Sequence, residues 1–353
     1  QRDYFNIWKT VLGKDGYTLN IHYDPDALMA FDTNRILTQA AKADAMLAGG
    51  AALTETVHES AAGRNVSELT GLIEARLVVL KQQMFEHIQA ARQRGQSADA
   101  ARIDLLVDAY GQDRAVLLAS KQRYLESHLA MAGKNVLLRD VRAEFGSHVL
   151  WDVYDREIAF RGNFAGASDV IRLMALEPEG GRYSDLDYLP ALVAEMAGVN
   201  ISEYTFEQRL GTLQLLLNHN PDFMPGRDRN RYRSYLDDIP AEHRSALEDY
   251  AKSHPSIVDV FVPAAEVQIP VDGLMLGRGY DTPGSVMNAY MMAHPESGMV
   301  KASLNLIRLA YDAIFEIEKS LAEKGALWSG GSVADVASDI VNRQIEGSPY
   351  RDF

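Results

Sequence analysis

The sequence predicts an α/β fold in which an open mixed sheet is interrupted by a large inserted helical subdomain. Strand patterns occur before this insertion, at 17–23, and after it, at 182–185. Two further strand-like segments follow at 257–262 and 266–269. Between the first two strands, from about residue 26 to 150, the pattern is almost wholly helical. Because open α/β sheets bind ligands at the carboxyl ends of their strands, we expect the site there.

The helical elements follow from the spacing of apolar residues. Residues 2–12 have helical spacing and are followed by a glycine-containing turn. The segment 65–68, Asn-Val-Ser-Glu, resembles a capping box and predicts the start of a long helix. The apolar stripe of this helix consists of Leu69, Leu72, Ile73, Leu77, Leu80, Met84 and Ile88. Further helices are predicted at about 98–132 and 135–150, and a long amphipathic one at 299–324.

Composition and charge exclude several classes of protein. The 353-residue chain has a formal net charge of −14 at pH 7, which argues against the basic surface of a nucleic-acid binder, so we expect no nucleic-acid partner. It has no cysteine, which excludes thiolate metal sites and thiol nucleophiles. Its histidines are scattered, without a His-Glu-x-x-His pattern, which argues against a zinc hydrolase. No apolar run approaches the roughly 20 residues that cross a bilayer, so no transmembrane segment is predicted.

Four polar residues that lie close together in the sequence carry the candidate chemistry. Asp169 and Arg172 are three residues apart on the helix predicted at 169–177, so their side chains share one face. Asp185 and Asp187 are two residues apart at a strand end, where alternation directs both carboxylates to one side. Such a pair suits Mg²⁺ or Mn²⁺ bridged to a diphosphate. Each feature alone is more often a solvated turn or a structural helix pair, but their conjunction favours a ligand site.

These residues belong to a longer pattern. Residues 167–176 read Ala-Ser-Asp-x-x-Arg-x-x-x-Leu, and 180–190 read Gly-Gly-x-Tyr-x-Asp-x-Asp-x-x-Pro. The pattern resembles the sugar-nucleotide motif of the glycosyltransferase domains of the large clostridial cytotoxins and of related bacterial toxins that glycosylate Rho proteins. Trp8, together with the segment 19–24, is similar to the helix and strand near the start of those domains. The resemblance covers most of residues 1–310.

The resemblance implies an architecture. The chain would be one glycosyltransferase catalytic domain over 1–353, with a GT-A-like (Rossmann-like) open mixed sheet. Residues 34–150 would form the helical insertion, and 151–310 the nucleotide-sugar-binding core. Domains of this family begin with a strand whose aromatic residue stacks on uracil, and they close with a Ser-x-Trp loop. No strand is predicted before Asn6 to supply this aromatic residue, and the segment 326–328 is the only candidate for the loop, so we expect the domain to be incomplete at both ends.

The resemblance also implies a role for each polar residue of the motif. Asp185 would contact the ribose and the sugar of the donor and share the metal with Asp187, a direct ligand. Asp169 and Arg172 would hold the sugar hydroxyls. The nucleotide pocket would be lined by Phe164, Ser168 and Tyr183.

Two residues outside the motif complete the expected site. Asp26 stands where the toxins have an asparagine that contacts uracil. Asn288 resembles the asparagine that faces the transferred sugar, although an ordinary turn asparagine is an equally good interpretation of the sequence alone. In the family, small neighbours of this asparagine go with N-acetylglucosamine donors and bulky ones with glucose donors. Because the neighbours here are Met287 and Ala289, UDP-GlcNAc is the favoured donor, ahead of UDP-glucose.

The implied activity is a metal-dependent, retaining transfer of a sugar from a UDP-sugar, with Mn²⁺ or Mg²⁺ as the cation. The acceptor would be a threonine or tyrosine hydroxyl of a host small GTPase of the Rho/Ras type. The protein would be secreted or injected by a bacterium and act in the host cytosol, including at the membrane face. Two alternatives stay open: a Golgi-type or capsular glycosyltransferase that modifies glycans, and a catalytically inert module that binds GTPases. A purely structural helical protein would leave the clustered motif unexplained.

Overall fold

The computed structural model describes residues 2–49, 59–185, 189–220, 230–254, 256–262, 268–278 and 286–323. The α-helices within these ranges are α1 (Arg2–Lys14), α2 (Ala30–Gly49), α3 (Glu59–Gln93), α4 (Ala98–Tyr110), α5 (Arg114–Leu129), α6 (Val141–Phe145), α7 (Trp151–Arg156), α8 (Phe164–Glu179), α9 (Phe206–His219), α10 (Ala241–Ser253) and α11 (Gly298–Glu323). The strands are β1 (Leu19–Tyr23), β2 (Val136–Asp140), β3 (Gly181–Ser184), β4 (Glu195–Met196), β5 (Val199–Asn200), β6 (Leu274–Arg278) and β7 (Val286–Ala293). A π-helical turn, Glu157–Arg161, directly continues α7.

Two of the described strand pairings, β1 with β2 and β3 with β7, join segments that are far apart in the sequence. β1 and β2 are parallel and in register from Leu19 opposite Val136 to Tyr23 opposite Asp140. β7 lies between β3 and β6 and is antiparallel to both. β4 and β5 form a short antiparallel pair. The predicted α/β class is confirmed, because parallel and antiparallel strands alternate with helices along the described chain.

The helical region before the site has its own hydrophobic core. Its centre consists of Met29, Leu37, Met84, Ile88, Leu106 and Leu117. The helix predicted at about 135–150 is wrong over its first part, since β2 occupies Val136–Asp140. The Leu19 amide donates to the Asn135 carbonyl at 2.9 Å, so β1 supplies a strand partner from outside the local sequence. α3 also begins at Glu59, ahead of the capping box expected to start it.

The strand expected at 257–262 is also absent. Residues Ile257–Val260 form a 3₁₀ segment, and Phe261 makes an isolated bridge with Leu192. Val260 and Phe261 are buried in the hydrophobic core built on α1, α9 and α10. A short run of apolar residues can be buried either as a helical turn or as a strand. The spacing of its apolar residues therefore does not distinguish the two. Of the second expected strand, 266–269, residues 266 and 267 lie outside the described ranges.

A buried ion-pair network joins the helical region to the part of the chain that carries the site. Arg142 donates to both carboxylate oxygens of Asp24, at 2.6 and 2.9 Å. Its Nη2 also lies 3.5 Å from Asp155 Oδ1, and Arg92 of α3 donates to the same oxygen at 2.7 Å. The Tyr154 hydroxyl donates to Asp24 Oδ2 at 3.1 Å. We call Asp24, Arg92, Arg142 and Asp155 the α3–α6–α7 network.

Helix α8 is placed by apolar packing and by its two ends. Val170 and Met174 are buried in one core with Met291 of β7 and Leu304 of α11. At the start of α8 the side chain of Asn163 caps the helix by accepting from the Gly166 amide at 3.1 Å. The chain then turns into β3, so α8 lies over the β3–β7 pair. Among the described helices, none has the length and apolar character that crossing a membrane requires.

Candidate functional site

Arg172 of α8 is the centre of a polar cluster that includes most of the expected site residues. Its Nη1 donates to the Asn288 carbonyl at 2.6 Å. Its Nη2 lies 3.1 Å from Asp169 Oδ1 and 3.5 Å from Asp185 Oδ1. The same nitrogen donates to Ser168 Oγ at 3.1 Å. One guanidinium therefore connects α8, the end of β3 and β7. We call Ser168, Asp169, Arg172, Asp185 and Asn288 the Arg172 cluster.

Tyr183 belongs to the Arg172 cluster through its ring and its hydroxyl. The guanidinium carbon of Arg172 lies 4.5 Å from the ring centroid, a cation–π distance. The hydroxyl donates a hydrogen bond to Asp185 Oδ1. Burial and, next, this hydrogen bond raise the pKa of Tyr183 to about 12, so the phenol stays neutral and remains a donor at physiological pH.

Local sequence spacing explains how these residues meet. Ser168, Asp169 and Arg172 lie within one turn of α8 and share a face. In the antiparallel β3–β7 pair Tyr183 is opposite Met291. The Asp185 amide extends this pairing by donating to the Ala289 carbonyl at 2.8 Å, which places Asp185 beside Asn288 of β7.

The charged side chains of the cluster differ in how much of each is exposed to solvent. The side chain of Arg172 is 6% exposed, whereas those of Asp169 and Asp185 are 44% and 32% exposed. Asp169 Oδ1 also accepts from Asn288 Nδ2 at 2.9 Å, so its ion pair and this hydrogen bond both use one oxygen. Its Oδ2 makes no hydrogen bond within the part of the chain that the structure describes. The carboxylates can therefore reach a ligand, and Arg172 orients them from below.

A cleft of about 300 Å³ adjoins the Arg172 cluster. It is lined by residues of α8, β7 and α11: Gly166, Asp169, Val170, Arg172, Leu173, Asn288, Met291, Ile307 and Tyr311. The lining combines polar and apolar side chains, a common composition for small-molecule sites. The contribution of Ile307 and Tyr311 was missed by sequence reasoning. The pattern of 299–324 indicated an amphipathic helix, but not which residues of it face a ligand.

The family model described as TcdA/TcdB catalytic glycosyltransferase domain matches residues 1–332. The chain belongs to this family. The resemblance noted in the sequence is therefore confirmed over most of the chain.

Individual relatives of this glycosyltransferase domain are distant. Toxin B of Clostridioides difficile is 22% identical over 278 residues, which is 76% of this chain and 11% of the toxin. Toxin A of Clostridium novyi is 21% identical over 328 residues, which is 89% of this chain and 14% of the toxin. The chain thus spans a small part of the length of the curated relatives it matches.

Solved structures support the fold. The catalytic domain of alpha-toxin from Clostridium novyi matches with a TM-score of 0.74 at 18% identity, covering 99% of this chain and 65% of that domain. The UDP-bound glycosyltransferase domain of the YGT toxin matches with a TM-score of 0.63 at 16% identity, covering 97% and 64%. The GT-A-like α/β fold expected from the motif is thereby confirmed.

Two of the expected residues that the structure describes lie outside the Arg172 cluster. Phe164 is in the first turn of α8, and its ring packs against Phe31 with centroids 5.9 Å apart. Asp26 accepts hydrogen bonds from the amides of Ala98 and Asp99, at 2.9 and 3.0 Å, and so caps the start of α4. Both carboxylate oxygens of Asp26 are used in this way, which favours a structural role over a contact with uracil.

We expect Asp26→Ala to destabilise the fold by about 1–2 kcal/mol, because two amides at the start of α4 lose their acceptor. The affinity for UDP, measured by calorimetry, should change less than twofold. Asp26→Asn keeps one acceptor oxygen and serves as the matched control, with a smaller loss of stability. A large fall in UDP affinity at unchanged stability would instead support the uracil contact implied by the resemblance.

The expected metal pair is only half described. Asp187 lies outside the described residues, whereas Asp185 is at the end of β3 with a partly exposed carboxylate. Within the described ranges no group of three or more acidic, histidine or cysteine side chains is arranged to hold a metal ion. Tyr183 and Arg172 both contact Asp185 Oδ1. A carboxylate oxygen is the kind of hard ligand that Mg²⁺ and Mn²⁺ take.

Proposed function

We propose that this domain transfers a sugar from a UDP-sugar, with retention of configuration, to a threonine or tyrosine hydroxyl of a host Rho/Ras-type small GTPase. The observation that carries the proposal is the Arg172 cluster, which holds Asp169, Asp185 and Asn288 together beside a cleft that Asp169 and Asn288 line. UDP is favoured as the nucleotide because one of the similar solved domains is described as UDP-bound. The host cytosol is where such an acceptor is found.

The residues of the cluster act on the sugar by accepting hydrogen bonds from it. Asp169 Oδ2 can accept from a sugar hydroxyl, since its other oxygen is already held by Arg172 and Asn288. The positive charge of Arg172 offsets part of the negative charge of the two carboxylates and keeps them in place, so binding a neutral sugar does not require them to reorganise. The apolar residues Val170, Leu173 and Ile307 are among those that line the cleft and limit access of water to it.

A divalent cation completes the proposed site. Asp185 and Asp187 would hold Mn²⁺ or Mg²⁺, which would neutralise the charge that develops on the departing diphosphate. Because no carboxylate of the site is assigned as a covalent nucleophile, we propose attack on the face that the leaving phosphate occupies. The sugar would then have oxocarbenium character between leaving group and acceptor.

UDP-GlcNAc remains the favoured donor and UDP-glucose the next. The argument from sequence depends on the size of the neighbours of Asn288. In the structure Ala289 is buried, whereas Asn288 is exposed. Adjacent residues of β7 therefore face opposite sides, so the size of residue 289 would act on the sugar through packing rather than by direct contact. A steric difference of this kind discriminates between donors by only about 1–3 kcal/mol. Parallel hydrolysis assays with both donors measure the preference directly.

The test of the proposed function is hydrolysis and transfer with a panel of UDP-sugars, with Mn²⁺, Mg²⁺ or a chelator. We expect Asp187→Asn to lower Mn²⁺-dependent hydrolysis at least about 100-fold, because an amide does not supply the charge that holds the cation. Asp249→Asn, the same change at an exposed position of α10, is the matched control and should be fully active.

Four outcomes would contradict parts of this proposal. Full Mn²⁺-dependent activity of Asp187→Asn would remove the metal assignment. Failure of the parent domain to hydrolyse every UDP-sugar would remove the donor class. Incubation with purified GTPases followed by mass spectrometry tests the acceptor: GTPase binding without added sugar mass would favour the inert binding module, and transfer only to oligosaccharides would favour a glycan-modifying enzyme.

A further inference from the structure

An exposed aromatic side chain lies beside the start of α8, and the residues assigned to the proposed transfer do not include it. Phe31, the second residue of α2, is 62% exposed and is the most exposed aromatic residue in the described part of the chain. Its ring contacts that of Phe164, with the centroids 5.9 Å apart and the planes tilted by 45°. Two adjoining rings, unlike a single exposed apolar residue, form a surface that fits a flat partner.

Helix α8 connects this aromatic pair to the Arg172 cluster. Phe164, Ser168 and Arg172 follow one another at intervals of four residues, so they form one row along the side of the helix. At about 1.5 Å per residue, Phe164 lies roughly 12 Å from Arg172 along the helix axis. Arg172 Nη2 lies 3.5 Å from Asp185 Oδ1, and Asp185 is one of the two residues proposed to hold the metal. The row therefore leads from the proposed diphosphate site to the aromatic pair.

The order of groups along this row matches that of a nucleoside diphosphate. Such a ligand carries its charge at one end, a ribose in the middle and a flat base at the other end. Along α8 the charged side chains of Arg172 and Asp185 are at one end, the hydroxyl of Ser168 follows, and the two phenyl rings are at the other end. A donor that lies along α8 with its diphosphate at Asp185 therefore brings its base to the rings.

The chemistry of the aromatic pair favours a base over the sugar of the donor. Phenyl rings have no hydrogen-bonding group, whereas sugar hydroxyls need partners of the kind that Asp169 and Asn288 supply in the Arg172 cluster. A base instead stacks on aromatic rings, and this stacking contributes to affinity without reading the edges of the base. Stacking also removes part of the exposed Phe31 ring from water, which is favourable.

We propose that Phe31, together with Phe164, forms the surface on which the base of the nucleotide-sugar donor stacks. This inference rests on the proposed function, because it takes the position of the diphosphate from Asp185 and Asp187. It gives α2 a direct role in donor binding. Phe31 contacts the base and not the reacting atoms, so it determines the affinity for the donor and leaves the chemistry at the sugar unchanged.

The experiment measures the affinity of the domain for UDP, uridine monophosphate and inorganic pyrophosphate by calorimetry with Mn²⁺ present. Phe31→Ala should weaken the binding of UDP and of uridine monophosphate by the same factor, about 5- to 150-fold, which is the range of one base–aromatic stack. Inorganic pyrophosphate, which has no base, should bind within twofold of the parent value. Because Phe31 is exposed, the melting temperature should change little.

Three further variants distinguish stacking from other effects of Phe31. Phe31→Trp keeps a flat ring and should bind UDP at least as tightly as the parent does. Phe31→Leu keeps apolar bulk without a ring and should lose most of the affinity that Phe31→Ala loses. Phe206→Ala is the matched control, because Phe206 is 55% exposed and begins α9, much as Phe31 lies at the start of α2. It should bind all three ligands as the parent does.

The outcomes separate this inference from the proposed function. A parent domain that binds neither UDP nor any UDP-sugar would overturn both. A parent that binds UDP, with Phe31→Ala binding it within twofold, would overturn the stacking surface alone. If that variant also has a raised KM for a GTPase acceptor, the rings dock the acceptor and not the base. Equal weakening of UDP and of pyrophosphate would show that Phe31 acts on the whole site, which also overturns the inference.

Discussion

Arg172→Ala should lower the rate of UDP-sugar hydrolysis at least about 1000-fold and destabilise the fold by about 2–3 kcal/mol. The guanidinium makes contacts with Asp169, Asp185, Ser168 and the Asn288 carbonyl. Without it, two neighbouring carboxylates repel each other and lose the geometry in which they receive the sugar. The loss of stability is smaller than for a fully buried pair because both carboxylates are partly exposed to water.

Two variants show whether this loss reflects geometry as well as charge. Arg172→Lys keeps the positive charge but not the planar fork that reaches several acceptors at once, so it should recover stability and little activity. Arg182→Ala, at an exposed arginine of β3, is the control for removing an arginine near the site and should be nearly fully active. Stopped assays with saturating donor, with urea unfolding of the same samples, give both quantities. Activity of Arg172→Ala within tenfold of the Arg182→Ala control would contradict the positioning role.

Arg142→Ala should destabilise the protein by about 3 kcal/mol, because it leaves the Asp24 carboxylate buried without its cation. The side chains of Asp24 and Asp155 are 5% and 11% exposed, so water replaces little of the lost interaction. Asp155 keeps Arg92 as a partner, which limits the loss. The comparison is Arg114→Ala, which removes an exposed pair with Asp104 and should cost less than about 1 kcal/mol. Urea unfolding at neutral pH measures the free energy of unfolding of both variants.

The pH dependence of the stability difference between the parent and Arg142→Ala tests whether that difference is electrostatic. Burial alone would raise the pKa of Asp155, but the hydrogen bonds and charge of Arg92, with the charge of Arg142, lower it. A carboxyl group with a lowered pKa stabilises the fold fully above its unfolded pKa of about 4 and loses this contribution as the pH falls through the folded value. The stability gap between the parent and Arg142→Ala should therefore narrow below about pH 4. An unchanged gap would indicate that Arg142 acts through packing on Trp151 instead.

The two predictions concern different parts of the same chain of contacts. The α3–α6–α7 network fixes the helical region against the segment that leads into α8, and the Arg172 cluster lies on α8 itself. We expect Arg142→Ala to act mainly on stability and Arg172→Ala mainly on turnover. Measuring both properties for both variants therefore distinguishes the support of the site from the site.

Much of the site follows from short spacings along the chain. Asp169 and Arg172 share a helix face because they are three residues apart, and Asp185 leaves β3 on the side that faces them. The motif at 167–190 contains these spacings, and its resemblance to the toxin glycosyltransferase domains is confirmed by the family model. The helical character of most of 34–150 also followed from periodicity. These features depend on neighbours in sequence, which a pattern records directly.

Other features depend on partners that are distant in the chain. The segment 136–140 is a strand because β1 pairs with it, and Asp26 is a helix cap because the start of α4 lies against it. Asn288 meets Asp169 from a position 119 residues away. The sequence by itself determined the fold class, the family and the polar residues of the motif. Only the tertiary structure decided that Arg172 is buried beneath the carboxylates and that Ile307 and Tyr311 line the cleft, because burial and pairing are set by whichever surfaces fold together and not by local spacing.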